Sequence, residues 1–144
     1  MSDANKKVVL AIEEAWNANR LDQLDAYFAP DFVQHSGPPA QLGSGLAAAK
    51  VAHQMSLQAF PDRKTSVEDI VAGDDQVAVR VRMTGTNKGG VPWLGVPAND
   101  RPVDVQWVSI YKLRDGKVVE HRAVMDVLGM MQQLGAIPAP GAGR

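Results

Sequence analysis

The sequence has 144 residues and a mass of 15.5 kDa, the size of one ordinary domain, and its 45% hydrophobic and 22% charged residues exclude wholesale disorder. Lys and Arg (15) nearly balance Asp and Glu (16) for a formal charge of −1, which removes the electrostatic case for nucleic acid or an anionic membrane as partner. The absence of cysteine removes disulfides, thiol nucleophiles and thiolate metal sites together.

At the N-terminus, the apolar run Val8 to Ile12 is too short for a signal-peptide core, and nothing approaches the length of a membrane-spanning segment. A soluble, cytoplasmic protein is the expectation. Residues 5–19 carry Val8, Ile12, Ala15 and Trp16 at helical spacing, with Lys6, Lys7, Glu13 and Glu14 expected to solvate the remaining faces. Asp22 is placed to cap a short second helix with Leu24, Tyr27 and Phe28, stopped near Pro30. Asp31 to Ser36 reads as a brief strand, punctuated by Ser36-Gly37-Pro38-Pro39.

A third helix opens at Ser44 or Gly45 and runs to about Ala59, where Phe60-Pro61-Asp62 ends it. The period then changes from helix to strand. Thr65 to Ala72 is β-rich, Gly73-Asp74-Asp75 makes a turn, and Val77, Val79, Val81 and Met83 alternate with Arg80, Arg82 and Thr84. A glycine- and proline-rich loop around Trp93 leads to a strand at Val103–Leu113. Asp115-Gly116 reads as a hairpin turn, and Val118 to about Met125 returns antiparallel. Asp126 starts a short terminal helix closed by Gly135. This gives one domain over 1–135 and a flexible tail over 136–144. Helices followed by an antiparallel meander indicate an α+β domain, with helices packed on one face of a curved sheet around an apolar cone.

Several strings carry a more specific signal. They are Asp31-Phe32-Val33-Gln34-His35-Ser36, Phe60-Pro61-Asp62 with Val67-Glu68-Asp69, and Gly73-Asp74-Asp75-Gln76-Val77-Ala78-Val79-Arg80. Thr84-Gly85-Thr86, Leu94-Gly95-Val96-Pro97, Asp115-Gly116-Lys117-Val118-Val119-Glu120-His121, and Asp126 before Gln132-Gln133-Leu134-Gly135 follow in order. Together, over residues 8–135, they resemble the SnoaL-like polyketide cyclase family of the nuclear transport factor 2-like (ketosteroid isomerase-like) superfamily. The resemblance implies a cone-shaped fold, with a curved, mostly antiparallel sheet and helices on its concave face. It also implies an acid/base carboxylate near the end of the last strand, a position matched by Asp126. The family usually has tryptophan after the Glu-His pair, where this chain has Arg122.

Two roles stand open for Asp126. Enclosure in an apolar pocket would raise its pKa toward the range useful for general acid/base work, whereas its place before Val127-Leu128-Gly129 suits a helix cap. Arg122, four residues earlier on the same strand, is expected on the same sheet face, either to hold a developing oxyanion or as a structural ion-pair partner. His35 is a candidate proton shuttle or a core-edge residue bonded to backbone. His121 is expected on the opposite face from Arg122, in a structural or interfacial role, and His53 as a surface or packing residue. Tyr27, Phe32, Met55, Phe60, Trp93 and Trp107 are the candidates for lining the pocket. Trp107 and Tyr111 are suited to stacking on a flat ring or to plain core packing, and Trp93 is placed to lid the cone mouth.

No histidine pair has metal-ligand spacing and no phosphate loop or dinucleotide motif is present, so neither metal nor cofactor is expected. The reading is therefore a cofactor-independent cyclase or isomerase-type enzyme acting on a small hydrophobic carbonyl compound. One alternative is an epoxide hydrolase or hydratase that activates water with Asp126 and Arg122; another is a non-catalytic ligand-binding or dimerisation module. A homodimer through the sheet is the expected assembly.

Overall fold

The computed structural model describes residues 2–35 and 43–138, so the Ser36-Gly37-Pro38-Pro39 turn and residues 139–144 of the tail lie outside the described residues. Helix α1 (Ser2–Asn17) buries Val9, Ile12 and Ala15 along one stripe, with Trp16 packed beside them. A 3₁₀ turn at Leu21–Ala26 then buries Leu24. The other elements are β1 (Phe28–Gln34), α2 (Leu46–Ala59), β2 (Lys64–Ala72), β3 (Gln76–Thr86), β4 (Pro102–Arg114), β5 (Lys117–Met125) and α3 (Val127–Gln133). They form one curved, open, five-stranded sheet in the order β1-β5-β4-β3-β2. Every neighbouring pair is antiparallel except β1 with β5, which is parallel. Helix α1 packs on β2 and β3, α2 on β1, and α3 on β4. The expected α+β architecture is the one observed.

The first strand begins earlier than its sequence suggests. Phe28 pairs in register with Val118, and the Val118 N–H donates to the Tyr27 carbonyl at 2.8 Å, so backbone pairing extends the strand back through Pro30. Proline is tolerated there because β1 is an edge strand with a single neighbour. The β4–β5 hairpin closes as its Asp-Gly pair predicts. Asp115 and Gly116 both take positive φ, 53° and 76°, giving a turn whose twist matches that of the flanking strands.

Alternation along the strands sorts the two faces of the sheet. On the helix side, Val77, Val79, Val81 and Met83 of β3 meet Val103, Val105, Ser109, Tyr111 and Leu113 of β4, all buried. The register then runs Tyr111–His121, Ser109–Ala123 and Trp107–Met125 into β5. The opposite face pairs Val108 with Val124 and Ile110 with Arg122. It leaves Val71, Val108, Ile110 and Val124 exposed, Val124 by 78%. The buried side chains form two clusters, one under α1 and one around Phe60, Met83, Val91 and Leu134, with Trp107 packed against both.

The loop between β3 and β4 is held from within. Asn87 is fully buried and donates from Nδ2 to the Pro97 carbonyl and to Asn99 Oδ1, while its Oδ1 accepts the Gly90 N–H at 2.9 Å. The N–H groups of Lys88 and Gly89 both donate to the Ala59 carbonyl, which satisfies the C-terminal end of α2. That contact demands glycine, because a Cβ at position 89 would collide with the backbone carbonyl of Gln58. Gly89→Ala therefore forces the loop away from α2 and should cost about 1–3 kcal/mol, as overpacking of a rigid contact does. A urea denaturation midpoint equal to that of the wild type would contradict the close approach.

Candidate active site

The polar groups gathered between the helices and the sheet come from α1, α2, β1, β4 and β5, with Arg63 in the turn between α2 and β2. On α1, Glu13 lies one residue from Ile12 and four from Val9, so the helix carries it into the buried stripe, and it is only 7% exposed. It does not solvate the helix, as its charge alone suggests it should. The Tyr111 hydroxyl of β4 donates to Glu13 Oε1 at 2.7 Å, and the Arg63 guanidinium adds a second, electrostatic influence. Burial raises the Glu13 pKa above the ordinary carboxylate value, opposed by the Tyr111 hydrogen bond and the Arg63 charge. Tyr111 is itself pushed well above its usual value by burial and by the neighbouring Glu13, so the phenol keeps its proton.

His121 faces the helices. Its ring lies 4.6 Å from that of Tyr111, and its Nδ1 is 2.9 Å from Gln34 Oε1 on β1. With that amide oxygen as acceptor, Nδ1 carries the proton and Nε2 presents its lone pair. Nε2 is shielded from solvent and has no hydrogen-bond partner among the described residues. Desolvation lowers the His121 pKa to about 4. A second imidazole repeats the pattern. His53 of α2 is buried, its ring is 4.9 Å from that of Trp16, its Nε2 is likewise unpartnered, and its pKa falls to about 4 through burial and then the Arg63 charge. Arg63 donates from a guanidinium nitrogen to Ser56 Oγ at 2.6 Å, and burial lowers its pKa to about 10.

The residues singled out by sequence are placed differently from this group. Asp126 is exposed and is the N-cap of α3, its Oδ1 accepting the Gly129 N–H at 2.8 Å. Arg122 stands opposite Ile110 on the outer face, so it does not share the helix side with His121, and no ion pair joins it to Asp126 among the described residues. The two faces are the reverse of what sequence suggests because the register shift between Lys112 and Leu113 sets which β5 residues meet the inward row of β4. His35 shares an outward face with Val33 and is paired with Glu120 at 3.0 Å, which helps hold the Glu120 carboxyl below its usual range. Gln34, its neighbour, is the β1 side chain that reaches inward to His121. Among the lining candidates, Phe32 is buried edge-on against Phe28, and Phe60 is buried at the end of α2. Tyr27, Met55 and Trp107 are half-buried, whereas Trp93 is 42% exposed on the 3₁₀ turn at Pro92–Leu94. An open groove of about 390 Å³ runs along Asp62, Thr84, Thr86, Asp104 and Gln133. Its polar groups already bond to one another: Thr86 donates to Asp62, and Gln133 bridges the Asp104 backbone.

The chain is thus an α+β cone that holds, between its helices and its sheet, a carboxyl–phenol pair and two histidines with unpartnered Nε2 atoms. It belongs to the SnoaL-like polyketide cyclase family, whose sequence profile matches residues 6–134. Nogalonic acid methyl ester cyclase of Streptomyces nogalater is 25% identical over 124 residues, covering 84% of this chain and 90% of that one. Among solved structures, AclR of Streptomyces galilaeus, a proposed hydroxylase, is 30% identical with a TM-score of 0.82, covering 96% of this chain and 85% of its own. IdmH of Streptomyces antibioticus, a proposed polyketide cyclase, is also 30% identical, with a TM-score of 0.77 over 91% of this chain and 98% of that one.

The lowered histidines have a thermodynamic consequence. An unfolded chain takes up protons on His53 and His121 near the ordinary value of 6.5, and the folded chain does so only near 4. Between those values the unfolded state binds more protons, so stability falls as pH falls. Glu13 acts in the opposite sense: its raised pKa stabilises the folded state at low pH, and that contribution fades as pH rises above 4.5. The urea midpoint should therefore drop from pH about 6.5 to about 5, a window above most carboxylate titrations. A His53→Gln/His121→Gln double variant should show a shallower drop, and an equal slope in both proteins would contradict the burial of the two rings.

Proposed function

We propose that this chain is a cofactor-independent enzyme of the polyketide cyclase or isomerase type that uses acid/base catalysis on a hydrophobic carbonyl compound. The observation that carries the reading is Glu13, a carboxyl group buried in an apolar wall, bonded to a phenol, with its pKa moved up toward the range where proton transfer in both directions is efficient. In the forward step Glu13 takes a proton from the carbon beside a carbonyl. The C–H electron pair becomes the enolate, which attacks a second carbonyl to close the ring, and Glu13 returns the proton to the new alkoxide. The Tyr111 hydroxyl holds the carboxyl in position. His121 Nε2, its lone pair oriented by Gln34, accepts a hydrogen bond from a substrate hydroxyl or enol. Trp107 and the Tyr111 ring offer flat surfaces to a polycyclic substrate.

The relatives support a carbonyl-rich substrate, since one is a methyl ester cyclase and another a proposed polyketide cyclase. In this reading Asp126 is a structural cap. Pairing of two copies through the outer sheet face belongs to the same proposal, supported by the exposed Val71, Val108, Ile110 and Val124.

Wash-in of solvent deuterium at the carbon next to the carbonyl of 1-tetralone, followed by NMR, tests the carboxyl directly. Wild type should exchange above the buffer rate, and Glu13→Gln should lose about 10²–10⁴-fold while keeping its circular dichroism spectrum. Asp126→Asn should exchange like wild type. The exchange rate should rise with pH through an apparent pKa above 4.5. Full exchange by a folded Glu13→Gln protein, or loss in Asp126→Asn alone, would overturn the assignment.

A further inference from the structure

The Arg63 end of the interior is not used by the proton transfer proposed above. Its guanidinium is largely buried, yet it makes one side-chain hydrogen bond, to Ser56 Oγ at 2.6 Å, and no ion pair within 4 Å among the described residues. A guanidinium has five N–H donors, so most of its capacity is unspent. The carboxyl whose charge reaches it is Glu13, and that group is bonded to Tyr111 and driven by burial toward its neutral form. A buried cation whose counter-charge is distant and partly discharged is costly unless a ligand completes it. Ser56 lies three residues after His53 on α2, so the helix sets His53 on the same side and within reach of the Arg63 charge; its Nε2 is unpartnered, and the Trp16 ring is next to the imidazole.

We infer that Arg63, flanked by His53 and Ser56, forms a subsite for a carboxylate carried on a flat, apolar ring. The guanidinium fork matches a carboxylate in two parallel hydrogen bonds, and the apolar ring that carries the carboxylate adds contact area that a free inorganic anion lacks. The Trp16 indole beside His53 suits the ring that bears the carboxylate. His53 Nε2, protonated in one neutral tautomer, donates to a lone pair of the bound carboxylate that the guanidinium leaves open. The subsite rests on reading the interior as the ligand site, and it deepens that reading by naming an acidic, aromatic or polyketide-type molecule as the class that fits.

The test uses 2-naphthoate, its neutral counterpart 2-naphthamide and inorganic phosphate, titrated into the full-length protein by calorimetry. Wild type should bind naphthoate about tenfold or more tighter than naphthamide, the scale of a charge-assisted hydrogen bond. Phosphate should not displace it. Arg63→Met should bring the two probes within about twofold of each other while naphthamide affinity stays the same, and Arg63→Lys should fall between. A measurement on unmodified protein covers the case in which Arg63→Met does not fold: the His53 ring proton resonances should move on adding naphthoate and stay in place with naphthamide. Glu13→Gln should keep the naphthoate preference, so failure of the acid/base reading and failure of the subsite are separable. Equal binding of the two probes by wild type, no binding of naphthoate at millimolar concentration, displacement by phosphate, or an unchanged ratio in folded Arg63→Met each overturns it.

Discussion

One hydrogen bond organises the interior. The Tyr111 hydroxyl and Glu13 Oε1 lie 98 positions apart in sequence and meet at 2.7 Å, joining the first helix to the middle of the sheet. Without a donor there, a carboxyl at the Glu13 position would lose several kcal/mol of hydration for nothing in return, and the helix would roll to return it to water. With the phenol in place the carboxyl stays inside, α1 keeps its orientation on β2 and β3, and Tyr111 keeps the proton it donates. The same bond fixes the Tyr111 ring, against which His121 rests. Packing, protonation and the placement of the His121 ring follow from a single contact that neither partner satisfies alone.

Much of the architecture is legible from local pattern. The alternation of Val77, Val79, Val81 and Met83, the Asp115-Gly116 turn and the stop at Phe60-Pro61 are decided by neighbours within a few residues, and each is where its pattern puts it. The start of β1 is less local, because Phe28 owes its extended backbone to Val118 ninety positions away. No rule about proline or helical spacing within residues 21–34 contains that partner.

The site is less legible for the same reason. Which face a β5 residue takes depends on the offset between Lys112 and Leu113, and a slip of one position exchanges His121 with Arg122. A glutamate in a charged helix such as Lys6-Lys7-Val8-Val9-Leu10-Ala11-Ile12-Glu13-Glu14 looks solvated until the opposing tyrosine is known. One sequence signal was present: Glu13 lies four residues from Val9 and three from Trp16, inside the arc the apolar residues define. Asp126 shows the converse. The same short distance to Gly129 that makes it an effective cap keeps its carboxylate at the helix end, where the backbone N–H and water compete for it.

The electrostatics of the interior also explain why a fold of this size tolerates so many polar groups in its core. Arg63 and Glu13 partly neutralise each other at a distance, which lowers the cost of burying both without locking them into a contact pair. A direct salt bridge would hold Glu13 ionised and leave the guanidinium saturated. The observed separation leaves the carboxyl with a raised pKa and the cation with spare donors. On a shared cone such an arrangement can change while the scaffold persists. AclR and IdmH, both 30% identical to this chain, carry different proposed activities on closely superposable backbones. Inward positions of α1, α2, β4 and β5 can vary on such a scaffold without disturbing it, and in this chain those positions hold Glu13, His53, Tyr111 and His121.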